Sequence, residues 1–246
     1  MIEQIRQTIQ EAFSDITFEE YYHTYKRSSG VILPSVSSKV KNHYNEFQAD
    51  SMAEICAMAY NKKNDDKKTK QDFLNEWKLK GKESREKGTK IHKFASCYPN
   101  LQEPIIDEEH GVLQYYKKLP KKYEVVLLEF PLYSDDFAGT PDKILLNKKT
   151  GNLVISDWKT GNDLMKNYKE QKLKYPFDDL LDNPFNRYSI QQSLYKILLE
   201  SKTPYKVEEC WLIHLKDKSF TRYIALDLSK ELIEYDERKK TTSNLL

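Results

Sequence analysis

Three apolar, β-rich runs follow one another between residues 124 and 159. They are EVVLLEFPLY (124–133), FAGTPDKILL (137–146) and NLVISDWK (152–159), the last two joined through NKKTG. Runs this short, rich in Val, Ile and Leu and bounded by turn residues, predict strands, and the last two predict a hairpin. If the loop is the four residues 148–151, Asn147 faces Asn152 and Asp142 falls directly across from Asp157, with Cβ atoms about 5 Å apart. Side chains alternate faces along a strand, so Asp157 and Lys159 point the same way. Two facing carboxylates destabilise a sheet unless a cation lies between them. One reading of this trio is an ordinary hairpin with a Lys–Asp salt bridge. The other is a site for a hard divalent cation, Mg²⁺ or Mn²⁺, with a lysine in reach of the same place. Spacing alone leaves both open.

The remaining chain sets these strands among helices. Residues 1–27 read as one or two amphipathic helices, with Ile5, Ile9 and Phe13, then Phe18, Tyr21 and Tyr22, at helical spacing. Residues 31–38 are extended and end on a Ser cap, residues 39–60 are mostly helical, and NKKNDDKKTK is an exposed turn. Residues 71–98 predict a helix broken near Gly81, and 161–175 a polar, partly helical stretch. A strong helix at 187–200, a strand at 207–216, its hairpin partner at 219–228 and a polar helix complete the chain. The fold class is therefore α/β, in the mixed α+β sense, around a mixed sheet.

Charge matters by its distribution. The 246 residues carry 40 Lys+Arg and 38 Asp+Glu, a net +2, and the total says nothing about nucleic acid. Residues 61–100, however, hold 12 basic against 6 acidic groups. That segment is either a solvated Lys-rich helical face or a track for a phosphate backbone. The cysteines, Cys56, Cys97 and Cys210, lie far apart. That spacing argues against a disulfide framework, a zinc ribbon and a four-cysteine iron–sulfur cluster, and makes a reducing cytoplasmic setting the expectation. No apolar run approaches the roughly 18 residues of a membrane span, and the N-terminus lacks a signal-peptide core. No GxxxxGK[ST], strand-linked GxGxxG or HExxH motif is present.

Two helical pairs join the carboxylates. Gly88 and His92 stand at i and i+4, on a face with Ser84 and Ala95 small enough to press against a sheet. Gln191 and Tyr195 are also i and i+4, among Ile190, Leu194 and Leu198. Each of these could equally be a core or core-edge residue. Trp77, Trp158 and Trp211 read as core, whereas Tyr168 and Tyr175, in a polar stretch, are candidates for stacking on bases.

Taken in order, GTKIH, GTPD, SDWKTG and QQSLY resemble the RecB-like branch of the PD-(D/E)xK nuclease superfamily over roughly residues 82–215. LPSVSSKVK and the Lys-rich helix ending at GTKIH extend the resemblance to the phage and mitochondrial genome-maintenance exonucleases of that branch. The resemblance implies a restriction-endonuclease-like core over 82–246, with a helical region over 1–81 that arches over the site. It implies that His92, Asp142, Asp157 and the backbone carbonyl of Trp158 ligate one or two Mg²⁺ or Mn²⁺ ions. Asp142, Asp157 and Lys159 would be catalytic, with Lys159 the catalytic lysine. Gln191 and Tyr195 would form the QxxxY helix that supports DNA and site, with Glu129, Gly88 and Thr160 as further supports. The acid before the lysine is Asp157, which the family allows in place of Glu. The iron–sulfur subgroup is excluded by its four cysteines.

The activity so implied is metal-dependent hydrolysis of DNA, by an exonuclease on single-stranded ends or tails. A structure- or site-specific endonuclease of the same superfamily is the nearer rival, and a non-catalytic nucleic-acid-binding protein on this fold the more distant one. The Lys bias (34 Lys, 6 Arg) would suit a phage or mobile-element gene acting in a bacterial cytoplasm.

Overall fold

A computed structural model describes residues 1–19, 22, 24–161 and 163–243. Its centre is the hairpin of strands β7 (Lys143–Asn147) and β8 (Leu153–Thr160). Lys143 pairs with Ser156 and Leu146 with Leu153, the register that a four-residue loop requires. The Asn147 N–H donates to the Asn152 carbonyl at 2.9 Å, and Gly151 closes the loop with φ +78°, a conformation suited to glycine.

The expected strands 124–133 and 137–146 are each divided, with β5 (Leu132–Tyr133) and β6 (Ala138–Gly139) forming a separate antiparallel pair. Strand β4 (Tyr123–Leu128) lies antiparallel on the outer side of β7. On the other side β9 (Val207–Lys216) runs parallel to β8, and β10 (Ser219–Ile224) returns antiparallel to β9. The five-stranded mixed sheet therefore has the order β10-β9-β8-β7-β4. A parallel neighbour needs a crossover, and α6 (Pro184–Lys202) provides it between β8 and β9. As a central strand covered on both faces, β8 is buried from Leu153 to Lys159.

Each face of the sheet has its own core. Leu153 and Ile155 of β8 join Ile190, Leu194 and Leu198 of α6, together with α1 (Ile2–Ala12) through Ile5 and Ile9. Val154 and Trp158 point the other way, to Ile91 and Ala95 of α4 (Lys70–Ser96) and to Val112 and Tyr115 of α5 (Asp107–Lys118). Helix α7 (Ser229–Ser243) packs on α6.

Several expectations change. The second part of the 1–27 reading is replaced by a hairpin of β1 (Ile16–Glu19) and β2 (Thr24–Arg27), extended by β3 (Ile32–Leu33) into a small sheet. Ile-Thr-Phe and Thr-Tyr-Lys favour extended chain, and the Phe18 and Tyr25 rings pack across the pair, tilted by 36° with centres 4.8 Å apart; Tyr21 lies outside the described residues. The 39–60 helix is two, α2 (Val36–Lys41) and α3 (Ala49–Asn61). The described residues of 161–175 contain no helix. Helix α5 had no counterpart in the sequence reading.

Helix α4 does not break at Gly81. Its 27 residues start at a Thr69/Asp72 capping box and span about 40 Å. One glycine costs such a helix about 1 kcal/mol, which the cap and both packed ends offset. The 81/82 boundary therefore falls inside one helix, and residues 1–40 contribute Phe13, Tyr25, Val36 and Val40 to the main core.

Candidate metal centre

The site lies at the end of the β7–β8 hairpin away from its turn. Asp142 precedes β7 and its carboxylate is pinned twice. Oδ2 accepts the Trp158 N–H at 2.6 Å, and Oδ1 lies 2.9 Å from His92 Nδ1. Asp157 returns the arrangement, its Oδ1 accepting the Asp142 N–H at 3.1 Å. The expected face-to-face pair is thus present, but each carboxylate is held by the other strand's backbone. Asp157 Oδ2 accepts from Lys159 Nζ at 2.9 Å, and the same ammonium donates to Gln191 Oε1 at 3.0 Å. Gln191 Nε2 donates to the Tyr195 hydroxyl at 3.1 Å, and Lys159 Nζ also lies 4.3 Å from the Tyr188 ring centre. The helical i, i+4 pair therefore serves the lysine.

Glu129 follows β4 and completes the group. Its N–H donates to the Asp142 carbonyl at 3.0 Å, and its carboxylate lies 3.4 Å from His92 Nδ1. Its φ of +46° is a left-handed conformation that a non-glycine residue adopts at a cost. His92, Glu129 and Asp142 offer ligand atoms within 4.8 Å of one another. Asp142, Asp157 and Lys159 are buried at 5%, 2% and 9% exposure, whereas the His92 and Glu129 side chains are 38% and 35% exposed. The open side of the site is therefore the His92–Glu129 side. One imidazole nitrogen and two carboxylates are a donor set that could hold a divalent cation.

The charges are strongly coupled. Burial would lower the His92 pKa, but Asp142 and Glu129 beside it raise it to about 10. Burial would raise the Asp142 carboxyl, yet His92, Lys159 and Lys143 hold it below the usual range. Burial lifts Glu129 upward, with His92 opposing. Burial opposes the charge of Lys159, but Asp157, Tyr188 and Asp142 together outweigh it and hold the lysine above its ordinary value. A divalent ion must displace the His92 proton to use Nδ1. Apparent Mn²⁺ affinity is therefore expected to rise by up to about tenfold per pH unit between pH 6 and 9, a slope of one proton per ion. Calorimetric titration in buffers of different ionisation enthalpy reads that proton directly.

The structure brings His92, Glu129, Asp142, Asp157, Lys159, Gln191 and Tyr195 into one network. Thr160 ends β8 beside it. The Trp158 ring is buried in the second core at 4.9 Å from Tyr115, and Trp211 is buried as expected. Trp77 lies instead in an aromatic group with Phe47 and Phe73 where α3 meets α4. Gly88 corrects the packing expectation: a Cβ there would meet nothing within 4 Å, so it does not press on the sheet. Tyr168 and Tyr175 are about half exposed, with the Tyr175 hydroxyl accepting from Arg238 at 2.6 Å.

The close approach lies at Gly139 of the GTPD motif. A Cβ at that position would sit 2.6 Å from both Tyr195 Cε1 and Val36 Cγ2. Gly139→Ala is therefore expected to destabilise the protein by about 1–3 kcal/mol, the usual cost of overpacking, as read by urea unfolding. Tyr25, whose hydroxyl donates to Thr140 Oγ1 at 3.0 Å, and Lys143 were not singled out in the sequence. No motif carries them, since each reaches the site through tertiary contacts.

Continuity of α4 adds a stripe. Lys78, Gly81, Arg85, Gly88 and His92 recur at i+3/i+4 spacing along one face, drifting about 20° per heptad. No side chain from 78 to 87 is buried. This mid-section is polar helix with solvent around it, between an end packed on α3 and an end packed on the sheet. No described helix is long and apolar enough to cross a membrane. Comparison with models of known protein families finds none that matches, and comparison with curated proteins finds no relative.

Proposed function

We propose that the protein is a metal-dependent deoxyribonuclease of the PD-(D/E)xK type, hydrolysing DNA phosphodiester bonds from single-stranded ends. The observation that carries this reading is the hydrogen-bonded set of Asp142, Asp157 and Lys159 beside the His92–Glu129 pair. Structural hairpins have no need of two facing buried carboxylates, because like charges in low dielectric are costly.

His92, Glu129 and Asp142 would hold Mg²⁺ or Mn²⁺, with Asp157 and the Trp158 carbonyl next to them. A bound divalent cation supplies charge neutralisation at the phosphate and an activated water. Asp157 fixes the Lys159 ammonium, and Gln191 fixes it from the other layer. An ammonium held above its ordinary pKa stays protonated, so Lys159 donates hydrogen bonds to developing negative charge and does not accept the proton. The Lys78–Arg85 stripe leads along α4 to His92, a path suited to a phosphate backbone. Were a strand to pass beneath α4, whose two ends are packed, it would enter by an end, and this supports the exonuclease reading over the endonuclease one.

End-labelled linear and closed circular single-stranded DNA, each with Mg²⁺, Mn²⁺ or EDTA, test this directly. Mononucleotide or short products from linear DNA alone, abolished by EDTA, are expected. Efficient cutting of circles would indicate an endonuclease, and metal-independent binding without cleavage a binding protein. The double variant Lys78→Gln/Arg85→Gln is expected to reduce the salt slope of DNA binding by about 1–2, measured by anisotropy. An unchanged slope would remove this stripe from the path.

A further inference from the structure

Behind the candidate metal ligands lies a second polar group that the proposed reaction does not use. Lys143, next to Asp142 in sequence, has no solvent exposure. By strand alternation it shares the face of Leu145, Val154 and Trp158, opposite to Lys159. Its Nζ lies 3.2 Å from the centre of the Trp158 ring and 5.1 Å from that of Tyr115. It has no hydrogen-bond partner. Ser156, its cross-strand partner, is equally buried with an unpartnered Oγ. The Tyr115 hydroxyl interacts with the Ser156 side chain, but the two oxygens do not reach hydrogen-bond geometry.

Three buried polar atoms without partners in one place need an explanation, because each loses its hydration on folding. A water molecule needs two to four polar partners, and this group offers an amine and two hydroxyls. The ring beneath Lys143 belongs to Trp158, whose N–H holds Asp142 Oδ2. Whatever fixes that ring fixes the main chain between Asp157 and Lys159.

We propose that Lys143 is a positioning residue of the metal centre, held on the Trp158 ring by an internal water shared with Ser156 and Tyr115, so that Trp158 keeps Asp142 in place. Its role at the metal rests on the reading of the metal centre above.

The test uses Mn²⁺ titration calorimetry on the full chain. Lys143→Met removes the amine while keeping all but one atom of the side-chain length, and is expected to weaken Mn²⁺ binding by about tenfold, the usual scale for groups that orient a ligand. Leu145→Ala removes apolar volume from the same face and is expected to leave Mn²⁺ affinity within about twofold. If Lys143→Met does not fold, Ser156→Ala and Tyr115→Phe remove one water partner each. Each is expected to weaken binding by a few-fold, and non-additively when combined. A high-resolution crystal structure should show one water within hydrogen-bond distance of all three atoms. Unchanged affinity in the folded Lys143 variant, or in both hydroxyl variants, would overturn the proposal. So would an equal loss in Leu145→Ala, or direct bonding among the three groups with no water between them. Wild-type protein that binds no Mn²⁺ would overturn the metal reading and the positioning role with it, whereas binding that the variants leave untouched overturns only the role of Lys143.

Discussion

Lys159→Ala is expected to lower DNA cleavage by about 10³-fold at saturating Mg²⁺, the scale on which loss of one preorganised donor to a developing anion is felt. The ammonium is buried and held by Asp157 at 2.9 Å and Gln191 at 3.0 Å, so solvent cannot replace it. DNA affinity should change by no more than a few-fold, because the proposed path along Lys78 and Arg85 does not include Lys159. Removing the lysine also leaves Asp157 buried without its partner, so melting temperature is measured alongside. Asp157→Ala removes the other member and is expected to abolish cleavage with binding retained. Undiminished cleavage in either variant would sink the catalytic assignment.

Asp142→Asn should lose cleavage to the same depth, together with the thermal response to metal. Wild-type protein at about 100 times the dissociation constant of Mn²⁺ gains roughly 2.7 kcal/mol. That corresponds to a rise of about 5–10 °C in melting temperature for a chain of this size. Asparagine keeps an acceptor for the Trp158 N–H but takes away the charge that His92 and a divalent cation share. The variant should show little shift with Mn²⁺, and in EDTA it should melt below wild type, because His92 loses its ion-pair partner. A full Mn²⁺ shift in Asp142→Asn would place the ion elsewhere.

The legibility of this protein differed from element to element. The helix at 187–200 was readable because Ile190, Leu194 and Leu198 repeat at helical spacing, and β9 because VEECWLIHLK is bounded on both sides by turn residues. The stretch after Phe13 misled because Phe18, Tyr21 and Tyr22 fit helical spacing while β-branched and aromatic residues also suit a hairpin. Gly81 misled in the opposite direction, since a local breaker was outweighed by a capping box and packed ends. Gly88 suggested close packing that occurs instead at Gly139. A glycine records that a side chain is dispensable, not which neighbour requires its absence.

Local pattern carried the facing of Asp142 and Asp157, given a four-residue loop, and strand alternation turned Lys159 to the face of Asp157. The loop length itself is seen in the fold. The sequence also marked His92, Gln191 and Tyr195 as candidates. Long-range packing brings Gln191 on α6 to Lys159 and His92 on α4 to Asp142, one from each side of the sheet. The same packing joins Glu129 to the ligand group on a left-handed turn and sets Lys143 behind that group on the ring of Trp158. Those positions follow from how two separate cores press helices onto opposite faces of one sheet. That packing depends on contacts far apart in the chain, which no local pattern encodes.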